Sequence, residues 1–363
     1  MSGEIDITPG ITWSSQPVNN ANLNATANPT ARVRAASIGS RELGIDINTG
    51  GGFSSKLVNG NFDIWQRGYG TTNCPAATRT FLADRWTVSP GGATITQERS
   101  TTVPDFRSRY SLLLTGAASS GDVDIAQRIE SHVVNAGLKT TVVFSAYVYN
   151  GTGAAFTPVL VVRTPSAADV WTVNTTRLTE NLQSCADAAW TQVSKSFDAS
   201  ALTDVANGLE VVLQIPSGAL VGGDTINVAQ VDLRVGDTVG VFETLPPSIV
   251  LCQCKYYFEE LISDGGNGVY VGLASTRNGP SADMSLQWSR KRIAPTVSIS
   301  DAGHFAILDT SGVNQSVSTF IFTPTSFMFG RVSFTSAGLP AAGGACVFKS
   351  VSASARIKVD AEL

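Results

Sequence analysis

Short runs in which apolar and polar residues alternate cover most of the chain after about residue 56. The run 140–149, TTVVFSAYVY, is typical, because it combines β-branched and aromatic residues with a two-residue period. Gly, Pro, Asn and Asp bound these runs, as expected of turns between strands. Between 56 and 245 we count seven runs: 110–115, 124–130, 140–149, 156–163, 191–197, 209–215 and 225–235. No long helical period separates them, so the pattern predicts an antiparallel β-sandwich over 56–245.

Consecutive prolines, Pro246 and Pro247, mark the end of this region, since proline cannot donate to a sheet ladder and stiffens a connection. The run that follows, 248–262, places four side chains at three- and four-residue spacing: Val250, Cys254, Tyr257 and Leu261. That period predicts one amphipathic helix, which we place in a linker spanning 246–264.

The strand pattern resumes at about residue 265 and continues to 363. Turn sequences separate its short runs, including those that begin at Asp264 and Asp301. The pattern predicts a second, smaller β-sandwich over 265–363.

Residues 1–55 are rich in Asn, Thr, Ser, Ala and Gly and contain little that could fill a core. A few apolar side chains could dock in the groove of another protein: Ile5, Ile7, Ile11 and Trp13. Two interpretations stay open. The segment is either an extended arm that orders on a partner, or a tail that is disordered or packs on its own domain.

The charge of the chain argues against a nucleic-acid partner. Charged residues make up 15% of the sequence and the formal net charge is −4, whereas phosphate neutralisation needs clustered Lys and Arg. The one cationic cluster, Arg290, Lys291 and Arg292, is typical of a solvated strand end or turn.

Targeting signals are not recognisable in the sequence. The first residues have neither the basic start nor the apolar run of a secretory signal, and no run of about 18 apolar residues could span a membrane. We therefore expect a chain that is made in the cytoplasm without a signal peptide and that inserts in no membrane. A virion released by lysis is one route by which such a chain would reach the outside of a cell.

Side chains that carry catalysis are scarce. His132 and His304 are the only histidines, and neither lies in a recognisable nucleophile motif. The five cysteines fit neither a disulfide framework nor a zinc site: Cys74, Cys185, Cys252, Cys254 and Cys346. We expect no enzyme activity and no cofactor, although a glycosidase needs only two facing carboxylates, and the sequence does not show which carboxylates face each other.

An ordered set of motifs runs from residue 56 to 246. It opens with KLVNGNFDIWQRG at 56–68 and FLADRWTV at 81–88, continues through QRI at 127–129 and FSAYV at 144–148, and closes with GVFETLP at 240–246. In this order the motifs resemble the jelly-roll modules of bacteriophage tail-fibre and related virion-appendage proteins, whose nearest relatives are carbohydrate-binding modules. The resemblance covers roughly half of the chain.

The resemblance implies a fold and a function. The expected fold is all-β: an N-terminal extended arm, a jelly-roll β-sandwich and then a second, smaller β-sandwich. The expected function is that of a structural protein of the virion, such as a tail fibre or spike, in which 1–55 attaches to other virion proteins and three copies form a homotrimer. Host-surface recognition, with a host polysaccharide as partner, is an implied further duty. The alternatives are a glycan-binding receptor module and a polysaccharide depolymerase.

Sugar binding requires side chains that can be sought in the sequence. Pyranose rings stack on aromatic faces, while amide, carboxylate and guanidinium groups pair with the hydroxyls. The candidates are Tyr147 and Tyr149 on one strand face, Trp171 near Asn174, and Gln127 with Arg128. The core is the expected place of three other tryptophans: Trp65, Trp86 and Trp190.

Asp122 and Asp124 lie in a turn before a strand. Related jelly-roll modules hold a structural Ca²⁺ with loop carboxylates and carbonyls, so these two residues are weak calcium candidates. A turn explains the two aspartates equally well without a metal.

Overall fold

A computed structural model describes residues 55–117, 121–261, 268–277, 280–309, 312–324, 326–339 and 342–363. Except for Ser55, the predicted arm 1–55 lies outside the described residues. The remaining residues form two β-sandwiches, which confirms the all-β prediction.

The first sandwich consists of two six-stranded antiparallel sheets. In spatial order, the front sheet contains β1 (Thr72–Cys74), β4 (Ile95–Ser100), β5 (Ser111–Thr115), β12 (Thr225–Val235), β7 (Thr141–Gly151) and β10 (Ala189–Asp198). The back sheet contains β2 (Thr80–Phe81), β3 (Thr87–Pro90), β6 (Val123–Glu130), β11 (Gly208–Ile215), β8 (Val159–Ala167) and β9 (Val170–Asn181). From β5 to β8 the chain crosses between the sheets at every connection, as in a jelly roll.

Strand alternation places the core between these sheets. In β7, Phe144, Ala146 and Val148 are fully buried against the back sheet, so the odd-numbered residues point to the outer face. The helical content beside the strands is small: α1 (Ser131–Gly137), and 3₁₀ turns at Ala199–Ala201 and Val205–Asn207.

The opening motif closes one end of this core. The Asn59 side chain donates to the carbonyls of Ile64 and Asp84, 3.0 Å each, and accepts from the Ile64 N–H. The Asn59 carbonyl accepts a 2.9 Å hydrogen bond from the Trp86 indole, whose ring lies 5.3 Å from that of Phe62. The two motifs at 56–68 and 81–88 are therefore parts of one buried structure, and Trp65 and Trp86 lie in the core as expected.

Gly60 allows this motif to contact the front sheet. A Cβ at residue 60 would lie 2.0 Å from the Val231 carbonyl oxygen, and the Gly60 carbonyl accepts a 2.8 Å hydrogen bond from the Val231 N–H. At this point the register of β12 shifts between Ala229 and Asp232, and Gln230 takes a φ of +50°. The glycine thus fits against a β-bulge that interrupts the central strand of the sheet.

The second sandwich follows α2 (Pro247–Lys255), which is shorter than the sequence pattern predicted. The chain leaves the helix because Phe258–Glu260 pairs as a strand, β13, with residues close to the end of the chain. A three-stranded sheet contains β13, β22 (Ile357–Asp360) and β16 (Thr296–Ile299).

A seven-stranded sheet packs against it. In spatial order its strands are β18 (Asn314–Ser316), β17 (Phe305–Leu308), β21 (Ala345–Ser350), β14 (Tyr270–Thr276), β15 (Ser281–Gln287), β20 (Phe329–Thr335) and β19 (Thr319–Pro324), with a 3₁₀ turn at Ala302–His304. The core contains a stack of phenylalanines, in which the Phe348 ring lies 5.1 Å from both Phe305 and Phe334.

Cationic side chains join the two sandwiches. The Arg67 guanidinium lies 3.5 Å from the centre of the Phe258 ring, and that of Arg85 lies 3.5 Å from the centre of the Tyr257 ring. Both arginines also pair with Glu362. Two cation–π contacts and a shared carboxylate therefore hold the second sandwich to the opening motifs of the first.

Lys291 differs from its expected place in a solvated turn. Its side chain is buried, and its ammonium group lies 3.2 Å from Glu259 and donates to the Lys255 carbonyl. The cationic cluster 290–292 gave no sign of this ion pair in the sequence, because Glu259 is distant along the chain and contacts Lys291 only in the folded protein.

All five cysteines are free thiols, and only Cys252 is exposed. Within the described part of the chain, no helix is long and apolar enough to cross a membrane.

Replacing Gly60 with Ala is expected to lower the free energy of unfolding by at least about 2 kcal/mol, because the added methyl group meets backbone that cannot rotate away. Gly70→Ala is the matched control, since nothing lies within 4 Å of a Cβ at residue 70. Urea unfolding of both variants checks the prediction. Equal stabilities would contradict the close contact at Val231.

The buried carboxyl group of Asp84 should make the free energy of unfolding depend on pH. Burial raises the pKa of Asp84 to about 6, although Arg67 at 3.3 Å and a 2.6 Å hydrogen bond from Gln66 oppose the shift. A carboxyl group with a raised folded-state pKa binds protons more readily in the native protein, so its contribution to stability increases as the pH falls from about 7 towards 4.5.

We therefore expect the wild-type protein to gain about 1 to 3 kcal/mol relative to Asp84→Asn over that pH interval. Urea unfolding of the two proteins at matched pH values measures the difference and cancels the titration of other groups. Parallel pH profiles would contradict the raised pKa.

Candidate functional site

The outer face of the front sheet carries an aromatic cluster. Tyr149 of β7 pairs with Trp190 of β10, and their ring centroids lie 5.7 Å apart at 55°. Tyr147 and Gln192 form the next outward pair on the same two strands. All three aromatic side chains are half-buried, so each keeps part of its ring surface in solvent.

Trp190 was expected in the core, and the structure corrects that prediction. Val193 and Phe197 of β10 point inward, so the even-numbered residues of the strand, including Trp190, point outward. Comparing Trp190 with these two positions would have predicted its orientation from the sequence.

An open groove of about 260 Å³ lies beside the cluster. Its floor is formed by outward residues of three strands: Ser145, Tyr147, Gln192 and Gln230. Its walls are formed by Arg107 and by the segment Val239–Phe242. The groove and the Tyr149–Trp190 pair are contiguous, because Tyr147 and Tyr149 project from one strand two residues apart.

The bulge in β12 positions Gln230 at this groove. The Gln230 amide donates to Asp105 at 2.7 Å and to the Ser108 hydroxyl at 2.9 Å, and that hydroxyl donates to Asn61 at 2.8 Å. These bonds fix the loop that carries Arg107 against the sheet. Gln230 could not have been found from the sequence, because regular alternation fails at a bulge.

Arg234 positions the second wall of the groove, the segment Val239–Phe242. Its guanidinium donates to Asp232 at 2.7 Å and to the Val241 carbonyl at 3.2 Å, so the chain after β12 folds back across the sheet. The second Asp232 oxygen is shielded from solvent and makes no hydrogen bond to any described residue. In the strand register Asp232 lies opposite Ser145, one of the residues that line the groove.

The electrostatics of the groove are close to neutral. Among the described residues that line it, Arg107 alone is charged, and it pairs with Asp105 at 2.7 Å. The other polar groups are amides and hydroxyls, which donate and accept hydrogen bonds without a net charge. The arrangement can hold a neutral, hydroxyl-rich ligand against an aromatic surface.

Gln127 and Arg128 lie on the back sheet, away from this groove. Gln127 is buried, and its amide group donates to the carbonyl of Val58 at 2.8 Å and accepts from its N–H at 2.7 Å. Arg128 donates to Glu210 at 3.0 Å and to the Leu363 carbonyl at 2.7 Å. These contacts anchor chain segments to β6, and neither side chain lies at the groove that Tyr147 lines.

Glu210 is the centre of this back-sheet network. It is fully buried and pairs with three arginines: Arg79 at 2.7 Å, Arg128 at 3.0 Å and Arg163 at 3.2 Å. The three guanidinium groups hold the pKa of Glu210 below its ordinary value despite the opposing effect of burial.

Trp171 is also on the back sheet and is buried rather than presented to solvent. The Arg128 guanidinium lies 4.8 Å from its ring centre, and a Cβ at Gly208 would lie 3.3 Å from the ring. Asn174 is exposed three residues further along β9. The structure therefore does not bring this pair to the groove that contains Tyr147.

The two calcium candidates are engaged by protein groups. Asp124 accepts from Arg163 at 2.7 Å and from Gln214 at 2.8 Å, and Asp122 accepts from the Ser217 N–H at 2.8 Å. Among the described residues, no group of three His, Cys, Asp or Glu side chains is placed to hold a metal ion.

The described residues that line the groove include no His, Cys, Asp or Glu that could act as a nucleophile or a general base. His304 accepts or donates a 2.9 Å hydrogen bond with Ser300 in an exposed turn of the second sandwich, and His132 is exposed on α1. Burial raises the pKa of Cys74 to about 12 and that of Cys185 to about 11, so both thiols stay protonated at neutral pH.

Comparison with known proteins gives structural likenesses only. No protein-family model matches the chain. No curated protein matches it in sequence.

Solved structures match about half of the chain. An α-L-arabinofuranosidase, MgGH51, is 20% identical, with a TM-score of 0.32 over 52% of this chain and 28% of that one. The enzymatically active domain of tailspike protein 4 from bacteriophage CBA120 is 13% identical, with a TM-score of 0.32 over 52% of this chain and 23% of that one. The chain thus spans only about a quarter of the length of these two proteins.

Smaller proteins match over nearly their whole length. The CBM22-1 xylan-binding domain of Paenibacillus barcinonensis Xyn10C is 15% identical, with a TM-score of 0.29 over 47% of this chain and 97% of that one. At these scores we draw no functional conclusion from the likenesses, and the groove has to be judged on its own geometry.

Replacing Trp171 with Phe is expected to lower the free energy of unfolding by about 1 kcal/mol or more, since the smaller ring leaves space beneath Arg128. The variant should still bind any ligand of the front-sheet groove, which is the groove that Tyr147 and Gln192 line, because Trp171 lies on the opposite sheet. Urea unfolding and native gel retardation in polysaccharide measure the two effects. Loss of polysaccharide retardation with an unchanged free energy of unfolding would instead show that Trp171 contributes to binding.

Proposed function

We propose that the protein binds a neutral surface polysaccharide through the front-sheet groove, as a structural component of a bacteriophage tail fibre, spike or similar virion appendage. The observation that carries the binding proposal is the half-exposed cluster of Tyr147, Tyr149 and Trp190 beside the exposed amide of Gln192.

The physical chemistry of sugars favours this surface. A pyranose ring presents an apolar C–H face and a rim of hydroxyl groups, so it needs an aromatic ring beneath it and neutral two-point partners at its edge. Tyr149 and Trp190 supply the rings, and the exposed amide of Gln192 supplies a two-point partner, while the buried Gln230 holds the loop that carries Arg107. Because rigid strands carry most of these groups, little ordering entropy opposes binding.

The near-neutral lining indicates the class of polysaccharide. A polymer rich in uronic acid or phosphate needs unpaired cations, and Arg107 is already neutralised by Asp105. The described residues that line the groove also include no pair of facing carboxylates such as a glycosidase needs, which favours binding over cleavage.

The virion part of the proposal is supported by the ordered sequence motifs, from 56–68 to 240–246. In this proposal, residues 1–55 attach the protein to other virion proteins and several copies assemble, with a homotrimer as the expected form. Host-surface polysaccharide is then the natural ligand of the groove.

Tyr149→Ala and Trp190→Ala are each expected to weaken polysaccharide binding about tenfold, because each removes one stacking ring. Tyr147→Ala should have a similar effect. Stability should change little, since all three rings are partly in solvent. Affinity electrophoresis in native gels that contain a panel of neutral and acidic bacterial surface polysaccharides measures the retardation.

Tyr69→Ala is the matched control, since Tyr69 is an exposed tyrosine of the same sandwich that lies over Arg99 of β4, three strands from β7. It should bind as the wild type does. A wild-type protein that no polysaccharide retards would overturn the binding proposal. Retardation that survives all three groove substitutions would place the site elsewhere.

A further inference from the structure

Large apolar side chains lie in solvent on the outer face of the seven-stranded sheet. Leu273 of β14 is 79% exposed, Ile321 of β19 is 59% exposed and Phe329 of β20 is 48% exposed. Their strand neighbours, such as Ala274 and Val332, are buried in the core, so these three residues are on the outward positions. Apolar surface concentrated on one face marks an interaction site.

A polar row crosses this apolar surface. Asp283 of β15 faces Ser333 of β20 across the ladder, and Arg331 projects two residues from Ser333 on the same strand. Together with Leu273 and Phe329, Asp283 and Arg331 line an open groove of about 530 Å³.

The polar groups of this row lack adequate partners among the described residues. One carboxylate oxygen of Asp283 and the hydroxyl of Ser333 are shielded from solvent and make no hydrogen bond. The other Asp283 oxygen lies 3.5 Å from Arg277, whose side chain is 60% exposed, and such a pair contributes little. The side chain of Arg331 is exposed and makes no hydrogen bond or ion pair with any described residue.

We propose that this face is a contact between copies of the chain, in which Arg331 of one copy pairs with Asp283 of the next and the surrounding apolar side chains pack together. The patch carries both members of an ion pair that it does not make internally. It is therefore complementary to itself, which is the property required of a surface that lies on a symmetry axis. Such a patch can contact the same patch of another copy around a twofold or a threefold axis, and the molecular mass in solution distinguishes a dimer from a trimer.

The composition of the face favours a second copy over a polysaccharide. Among the described residues that line this groove Phe329 alone is aromatic, and Leu273 and Ile321 are aliphatic, so the stacking surface for sugar rings is small. Aliphatic side chains around a charge pair are instead typical of the buried centre of a protein interface. The inference does not rest on the front-sheet groove, which belongs to the other sandwich.

Charge reversal tests the proposal. Arg331→Glu and Asp283→Arg should each raise the dissociation constant of self-association by at least about tenfold, because each places like charges against each other. The double variant, Arg331→Glu with Asp283→Arg, should recover most of the affinity, since it restores opposite charges across the contact. Sedimentation equilibrium of the full chain over a range of concentrations measures all four proteins, and circular dichroism establishes that each is folded.

Leu273→Glu provides a second test that does not alter the ion pair, and its exposure means that folding should be unaffected. It should also weaken self-association at least about tenfold. Val173→Glu is its matched control, since Val173 is 60% exposed on the first sandwich, and it should leave the mass unchanged.

Four results would overturn the proposal. The wild-type protein could be a monomer at every concentration, or its assembly could survive both Leu273→Glu and the single charge reversals. The double reversal could also fail to recover affinity while remaining folded. If Leu273→Glu abolishes polysaccharide retardation without changing the mass, the occupant of this face is a ligand and not a second copy.

Discussion

The close contact between Gly60 and Val231 is the constraint on which the candidate site depends. Backbone meets backbone there, with no room for a side chain, at the point where β12 bulges. The bulge turns Gln230 towards the outer face, and Gln230 in turn holds the loop that carries Arg107. The opening motif of the first sandwich thus shapes a groove that is lined by residues much further along the chain.

Several of the charged residues of the chain form ion pairs inside the fold. Glu210 pairs with three arginines on the back sheet, and Glu362 pairs with Arg67 and Arg85 between the two sandwiches. Such networks leave few cations or carboxylates for the front-sheet groove, which is consequently neutral and aromatic. The two sheets of one sandwich therefore differ: ion pairs brace the back sheet, and the front sheet carries the groove for which we propose ligand binding.

The proposed groove and the proposed self-association face would act together. A single shallow sugar site binds weakly, because stacking and hydrogen bonding in water each contribute little free energy. Linking several copies converts later binding events into intramolecular ones and raises the avidity. A surface that assembles copies through the second sandwich, while each first sandwich presents a groove, suits a particle that must hold a polysaccharide-covered cell.

The sequence alone determined the all-β fold, the core positions of Trp65 and Trp86, and the placing of Tyr147 and Tyr149 on one strand face. The fold class and the shared face of the two tyrosines follow from alternation, which each strand carries locally, and the two tryptophans follow from the tendency of large aromatic side chains to be buried. Tertiary structure alone decided where Gln127, Arg128 and Trp171 lie, because a β-sandwich has two outer faces and the local pattern does not say which one is braced by ion pairs. It also decided the bulge at Gln230 and the pairing of Lys291 with Glu259, since both depend on contacts between residues that are distant along the chain.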